Sequence, residues 1–141
     1  TVLFAALKKL AREVDPKAAL ANLYFTGSVV EGKVDTSVPA SISSQWKTEG
    51  GVLAVSVQSG MIQAFRPPQS LPLEAIEEPV GCSLAAAWEA GKKAGLNTST
   101  KVSAFYSRDN LTPTVRWMLR TDHEMMFFDR QDCSLMSKLS F

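Results

Sequence analysis

The order of segment types in this chain runs through twice, and that doubling limits its possible folds more than any single motif does. A helical stretch, Leu3 to Glu13, leads through Asp15-Pro16 into an apolar run from Asn22 to Val30. A tryptophan-bearing segment, Gln45-Trp46-Lys47-Thr48, follows, then Val52 to Val57, a Ser59-Gly60 turn and Met61-Ile62. The second half repeats the order: a helix from Ser83 to Ala94, a strand from Val102 to Ser107, a tryptophan strand from Thr114 to Arg120, and a strand from Met125 to Asp129. A turn at Gln131-Asp132 then leads to Ser134-Leu135-Met136. The match is one of pattern and not of residue identity. The expected fold is α+β, two helix-plus-antiparallel-sheet units forming an internal pseudo-repeat within one compact globule. Residues 1–66 make the first unit, a proline-rich linker spans 67–79, and residues 80–141 make the second.

Local signals support these elements. Leu3, Ala6, Leu7 and Leu10, continued by Val14, form one apolar stripe at helical spacing. Asp15-Pro16 ends that helix, because the residue before proline is driven out of the α region. Leu23 to Val30 is rich in aromatic and β-branched residues and reads as a strand with Gly27 as a bulge. Glu31 to Ser44 is polar and reads as a loop, several residues longer than its counterpart at 109–113, and long loops often carry binding. Val52 to Val57 is polar on neither face, so it is covered on both sides or sits at an interface. Ser83 is placed to cap the second helix, Leu84, Ala87, Trp88 and Gly91 are its buried stripe, and Gly95 is its stop.

A net charge of +1 over 141 residues gives no basic field to bind phosphates, so nucleic acid is not an expected partner. No run reaches the roughly 20 apolar residues a membrane-spanning helix needs. The chain begins at Thr1 and not Met, so a tag, signal peptide or anchor is expected to have been removed. Thr1 to Leu7 is apolar enough to be the tail of such a segment or the first turns of a core-facing helix.

Reaction chemistry finds little support. The single histidine, His123, sits between Asp122 and Glu124 in a turn, with no further ligands beside it. No Gly-x-Ser-x-Gly and no phosphate-cradling glycine loop is present, and two cysteines fall short of a structural zinc set. The expectation is a protein that is not an enzyme and holds no cofactor or metal. Trp46 and Trp117 hold equivalent mid-strand positions, and with Tyr24 and Tyr106 they are the candidate binding residues. Packing against the helices is the competing role for the tryptophans.

The stretches Trp46 to Ile62 and Trp117 to Cys133 resemble the PepSY-like group of small bacterial envelope domains, in which a helix precedes an antiparallel hairpin with an aromatic in its middle strand. The family's last strand ends in an Asp and a Thr-Gly turn. Here the first copy has Ser59-Gly60 without the Asp, and the second keeps Asp129 but has Asp132-Cys133 in place of the glycine region. The resemblance implies a non-enzymatic module of the envelope, periplasmic or secreted, that binds a protein or peptide partner through a sheet face, a strand edge or the 31–44 loop. The alternative is a ligand-sensing or accessory domain of a larger membrane-anchored protein.

In such a meander, Cys82 at the start of the second helix lies near Cys133, which just follows the third strand of its unit. A Cys82–Cys133 disulfide is therefore expected, and it fits an oxidising compartment. Two buried thiols are the other reading.

Overall fold

A computed structural model describes residues 2–30, 33–58, 61–68, 74–79, 81–97, 102–108 and 114–141. Helix α1 (Val2–Val14) is followed by strands β1 (Ala19–Val30), β2 (Lys33–Thr48), β3 (Gly51–Gln58) and β4 (Met61–Phe65). Helix α2 (Leu84–Lys93) is followed by β5 (Ser103–Arg108), β6 (Val115–Arg120), β7 (Glu124–Asp129) and β8 (Leu135–Ser140). All eight strands form one antiparallel sheet in the order β4-β3-β2-β1-β5-β6-β7-β8.

That single sheet corrects the expectation of two helix-plus-antiparallel-sheet units. Strands β1 and β5 pair directly, with Leu23 opposite Tyr106 and Phe25 opposite Ala104, so main-chain hydrogen bonds run unbroken across the molecule. Hydrophobic alternation reports which face of a strand is buried and says nothing about its neighbour. Joining β1 to β5 pairs two edges that separate units would leave open.

The long polar segment is corrected too. Residues 33–48 are strand and not loop, paired with β1 along its length. The ladder slips on both sides of Gly27, which lies opposite Pro39, so the predicted irregularity at Gly27 is present and proline sits where the register is already broken. The Ser59-Gly60 turn and the 109–113 connection lie outside the described residues.

Both helices lie on the same face of the sheet. Leu7 and Ala11 of α1, and Ala87 and Trp88 of α2, join one core with Leu23, Phe25, Ile42, Trp46, Leu53 and Val55 from one half of the sheet. Ala104, Tyr106, Trp117, Leu119, Met126 and Phe128 complete it from the other half. Val14 is exposed and does not continue the α1 stripe as expected, since it is the last residue of the helix. In α2, Ser83 caps the first turn by accepting from the Ala86 amide at 3.1 Å. Gly95, at φ +93°, closes the last turn while the Leu96 amide donates to the Gly91 carbonyl at 2.9 Å. A Cβ on Gly91 would stand 2.7 Å from Leu119 Cδ1, so the helix approaches the sheet closely at that point.

The described part of the linker is bound down rather than free. The Ile76 amide donates to the Leu20 carbonyl at 2.8 Å, and Ile76 is buried in the core. Glu78 pairs with Lys8 of α1 at 2.8 Å, and Glu74 pairs with Arg108 of β5 at 2.6 Å.

Candidate binding face

Among the described residues no helix covers the second face of the sheet, and strand alternation decides what it carries. Along β2 the face is polar, where Asn22 donates to Gln45 at 2.7 Å with Ser41, Ser43 and Ser56 around them, while Val52 and Ala54 of β3 on the same side are buried, so that β3 is covered on both sides there. Toward β5 to β8 it is apolar. Tyr24 stands opposite Phe105, Phe105 opposite Met118, and Met118 opposite Phe127, making one row across four strands. The Tyr24 and Phe105 rings lie 4.7 Å apart, within the range of favourable aromatic contact.

Arginines flank this row. Arg116 and Arg120 lie two residues before and after Met118 on β6, so all three share a face. The Arg116 guanidinium lies 3.9 Å above the Phe127 ring, and that of Arg120 lies 5.7 Å from the Phe141 ring. Met125 and Leu139, paired across β7 and β8, extend the apolar surface to the edge strand. Across β7, Arg116 stands opposite Asp129. Asp129 also serves its own turn, accepting from the Gln131 amide at 2.8 Å and the Asp132 amide at 3.3 Å.

The edge strand is itself open. Leu135, Leu139 and Phe141 at the β8 edge are 48%, 54% and 62% exposed, which is unusual for side chains of this size. At the opposite edge, Met61, Ile62 and Phe65 of β4 are exposed as well, and β4 carries no charged residue.

The four residues singled out in the sequence divide sharply. Trp46 and Tyr106 are fully buried and Trp117 is 3% exposed, so these three belong to the core and do not present a docking surface. Trp46 stacks on Phe4 and donates to Ser44 Oγ at 2.9 Å, and Ser44 passes the chain on to the Val55 carbonyl. Tyr106 donates to the Glu77 carbonyl at 2.7 Å, and burial pushes its phenol up to about 12. Only Tyr24 lies on the open face. Phe105, Met118, Phe127, Arg116 and Arg120 were not singled out, because their alignment depends on strand register.

The Cys82–Cys133 disulfide is present, with Cα atoms 5.2 Å apart. It ties the start of α2 to the β7–β8 turn, where Cys133 takes a positive φ of 61°. At the other end of the hairpin, His123 is exposed in the β6–β7 turn. Among the described residues no three His, Cys, Asp or Glu side chains gather as a metal site. The described helices include none long and apolar enough to cross a membrane. Asp15, between α1 and β1, accepts from the Glu49 and Lys17 amides, which hold its carboxyl below the usual range.

Comparison with known proteins finds no matching family model, no matching curated protein and no matching solved structure.

Proposed function

We propose that this protein is a non-enzymatic binding module that works outside the cytosol, periplasmic or secreted, and engages a protein or peptide through the open face of its sheet. The observation that carries the reading is the Tyr24–Phe105–Met118–Phe127 row, an apolar band with no covering helix among the described residues, whereas both helices pack on the other face. Contiguous apolar surface of this kind marks interaction sites on folded proteins. The disulfide supports the compartment, since such bonds persist where thiols are not kept reduced. The resemblance to PepSY-like envelope domains points the same way. Of the elements the sequence suggested, this reading keeps the sheet face and a strand edge, while residues 33–44 are strand and the tryptophans are buried.

The test is site-specific photo-crosslinking. A benzophenone side chain replaces Phe127 in one variant and the exposed Lys93 of α2 in another, each incubated with envelope extract. Adducts formed from position 127, absent from position 93 and competed away by unlabelled protein are expected. Equal or no labelling from the two positions would sink the reading.

A further inference from the structure

The two edges of the sheet are finished differently, and the difference points to an occupant for one of them. At β8 the ladder slips between Phe127 and Phe128, and Lys138 stands within the strand. A register break and a lysine both keep an edge from pairing with another chain. At β4 neither is present. Met61-Ile62-Gln63-Ala64-Phe65 pairs with β3 in one unbroken register, carries no charge and no proline, and has every residue exposed. The last strand of a sheet offers main-chain N–H and C=O groups along its outer side, and the element that satisfies a row of them is another strand. Independently of the binding-module reading, we propose that this strand is the β4 of a second copy of the chain, antiparallel to the first about a two-fold axis through Gln63, so that two eight-stranded sheets become one.

Self-complementarity favours a second copy over an unrelated strand. Pairing about Gln63 sets Ile62 of each copy opposite Ala64 of the other, and Met61 opposite Phe65. Residues that meet in this register lie equally far from Gln63, so their main-chain groups face one another whichever set β4 turns outward. Ile62 and Ala64 stand opposite Val57 and Val55 on the face the helices pack, so their pairing carries the apolar interior across the junction. Met61 and Phe65 meet on the other face as a sulfur–aromatic pair. No like charges meet within the strand. Helix α1, which lies against β3, leaves room for its counterpart. The β3 strands of the two copies stand three strand spacings apart, about 14 Å, and a helix with its side chains is about 10–12 Å across. The interface is isologous and closes on itself.

The test is sedimentation velocity of the full chain over a concentration series reaching about 1 mM, because a junction this small makes a weak dimer. The wild-type chain is expected to pass from monomer to dimer and no further. Gln63 is exposed and stands on the axis, so Gln63→Lys and Gln63→Glu each bring like charges together. Either variant is expected to weaken the dimer about tenfold or more. An equimolar mixture of the two is expected to associate again, and less so in high salt. Phe127→Ser, on the open face, is expected to leave the dimer unchanged. A wild-type chain that stays monomeric throughout overturns the proposal without recourse to any variant, and leaves the β4 edge to an extended peptide of another protein. Association that ignores the charge at position 63, or that Phe127→Ser abolishes, overturns it too, as does loss in both variants with no recovery on mixing. Growth beyond a dimer overturns it in favour of β4 pairing with β8, a head-to-tail contact that propagates.

Discussion

The Trp117 indole donates a hydrogen bond to the Cys82 carbonyl at 2.8 Å inside the core, tying β6 to the residue that precedes the α2 cap. The Cys82 amide donates in turn to the Arg130 carbonyl at 3.1 Å. The start of α2 is thus held by one side-chain and one main-chain hydrogen bond and by a disulfide, each reaching a different part of the β6–β8 region. Residue types that sequence reading offered for binding are here used to position a helix.

Trp117→Phe keeps an aromatic ring but leaves the buried Cys82 carbonyl without its indole donor. The expected loss is about 1–3 kcal/mol of unfolding free energy, with a further contribution from the smaller ring. Urea denaturation followed by circular dichroism measures it, and a loss under about 0.5 kcal/mol would show that the bond contributes nothing beyond ring packing.

Reducing the disulfide, or making Cys82→Ser with Cys133→Ser, frees a loop whose ends are 51 residues apart. In the chain-entropy account this costs about 4 kcal/mol. The hydrogen bonds from the Trp117 indole to the Cys82 carbonyl and from the Cys82 amide to the Arg130 carbonyl remain, so the far-ultraviolet spectrum is expected to persist while the urea midpoint falls. A midpoint indifferent to reductant contradicts this.

Gly81→Ala strains the same corner. Gly81 has φ +90°, and an added Cβ would collide with the Gln131 carbonyl oxygen. Backbone strain alone is worth about 1–3 kcal/mol, and the collision adds to it. The variant is expected to lower thermal stability more than Gly51→Ala, where φ is +106° but no atom lies within 4 Å.

Tyr106 predicts an alkaline limit. Burial, aided by Glu77 and Glu78 and opposed by Arg130, raises the phenol from 10.0 to about 12. The folded state therefore holds this proton more tightly than the unfolded chain. Its contribution is complete below pH 10 and is lost as pH rises toward 12, on the order of 2 kcal/mol. Tyr106→Phe is expected to be about 1 kcal/mol less stable at pH 8, for want of the bond to Glu77, and to lose less stability than wild type by pH 11. Parallel pH profiles would refute the assignment.

Much of the local structure could be read from the residues alone. Ser83 and Gly95 bounded α2, Ala87, Trp88 and Gly91 marked its buried stripe, and Gly27 marked a break in β1. The polar run through Ser37, Ser41, Ser43 and Ser44 concealed β2, because a strand whose partners supply the apolar contacts needs few of its own. The binding face was harder to find. Arg116, Met118 and Arg120 alternate with Val115, Trp117 and Leu119 in the sequence, but the row through Met118 joins residues from four strands, and only register brings those together.

The sequence by itself determined where the helices begin and end and pointed to the Cys82–Cys133 pairing, because these depend on short-range periodicity and chain reversal. Only the tertiary structure decided that β1 pairs with β5, that a single sheet has one packed and one open face, and that the tryptophans lie inside. Those outcomes depend on which edge meets which, a choice made by main-chain hydrogen bonds that every residue can form alike.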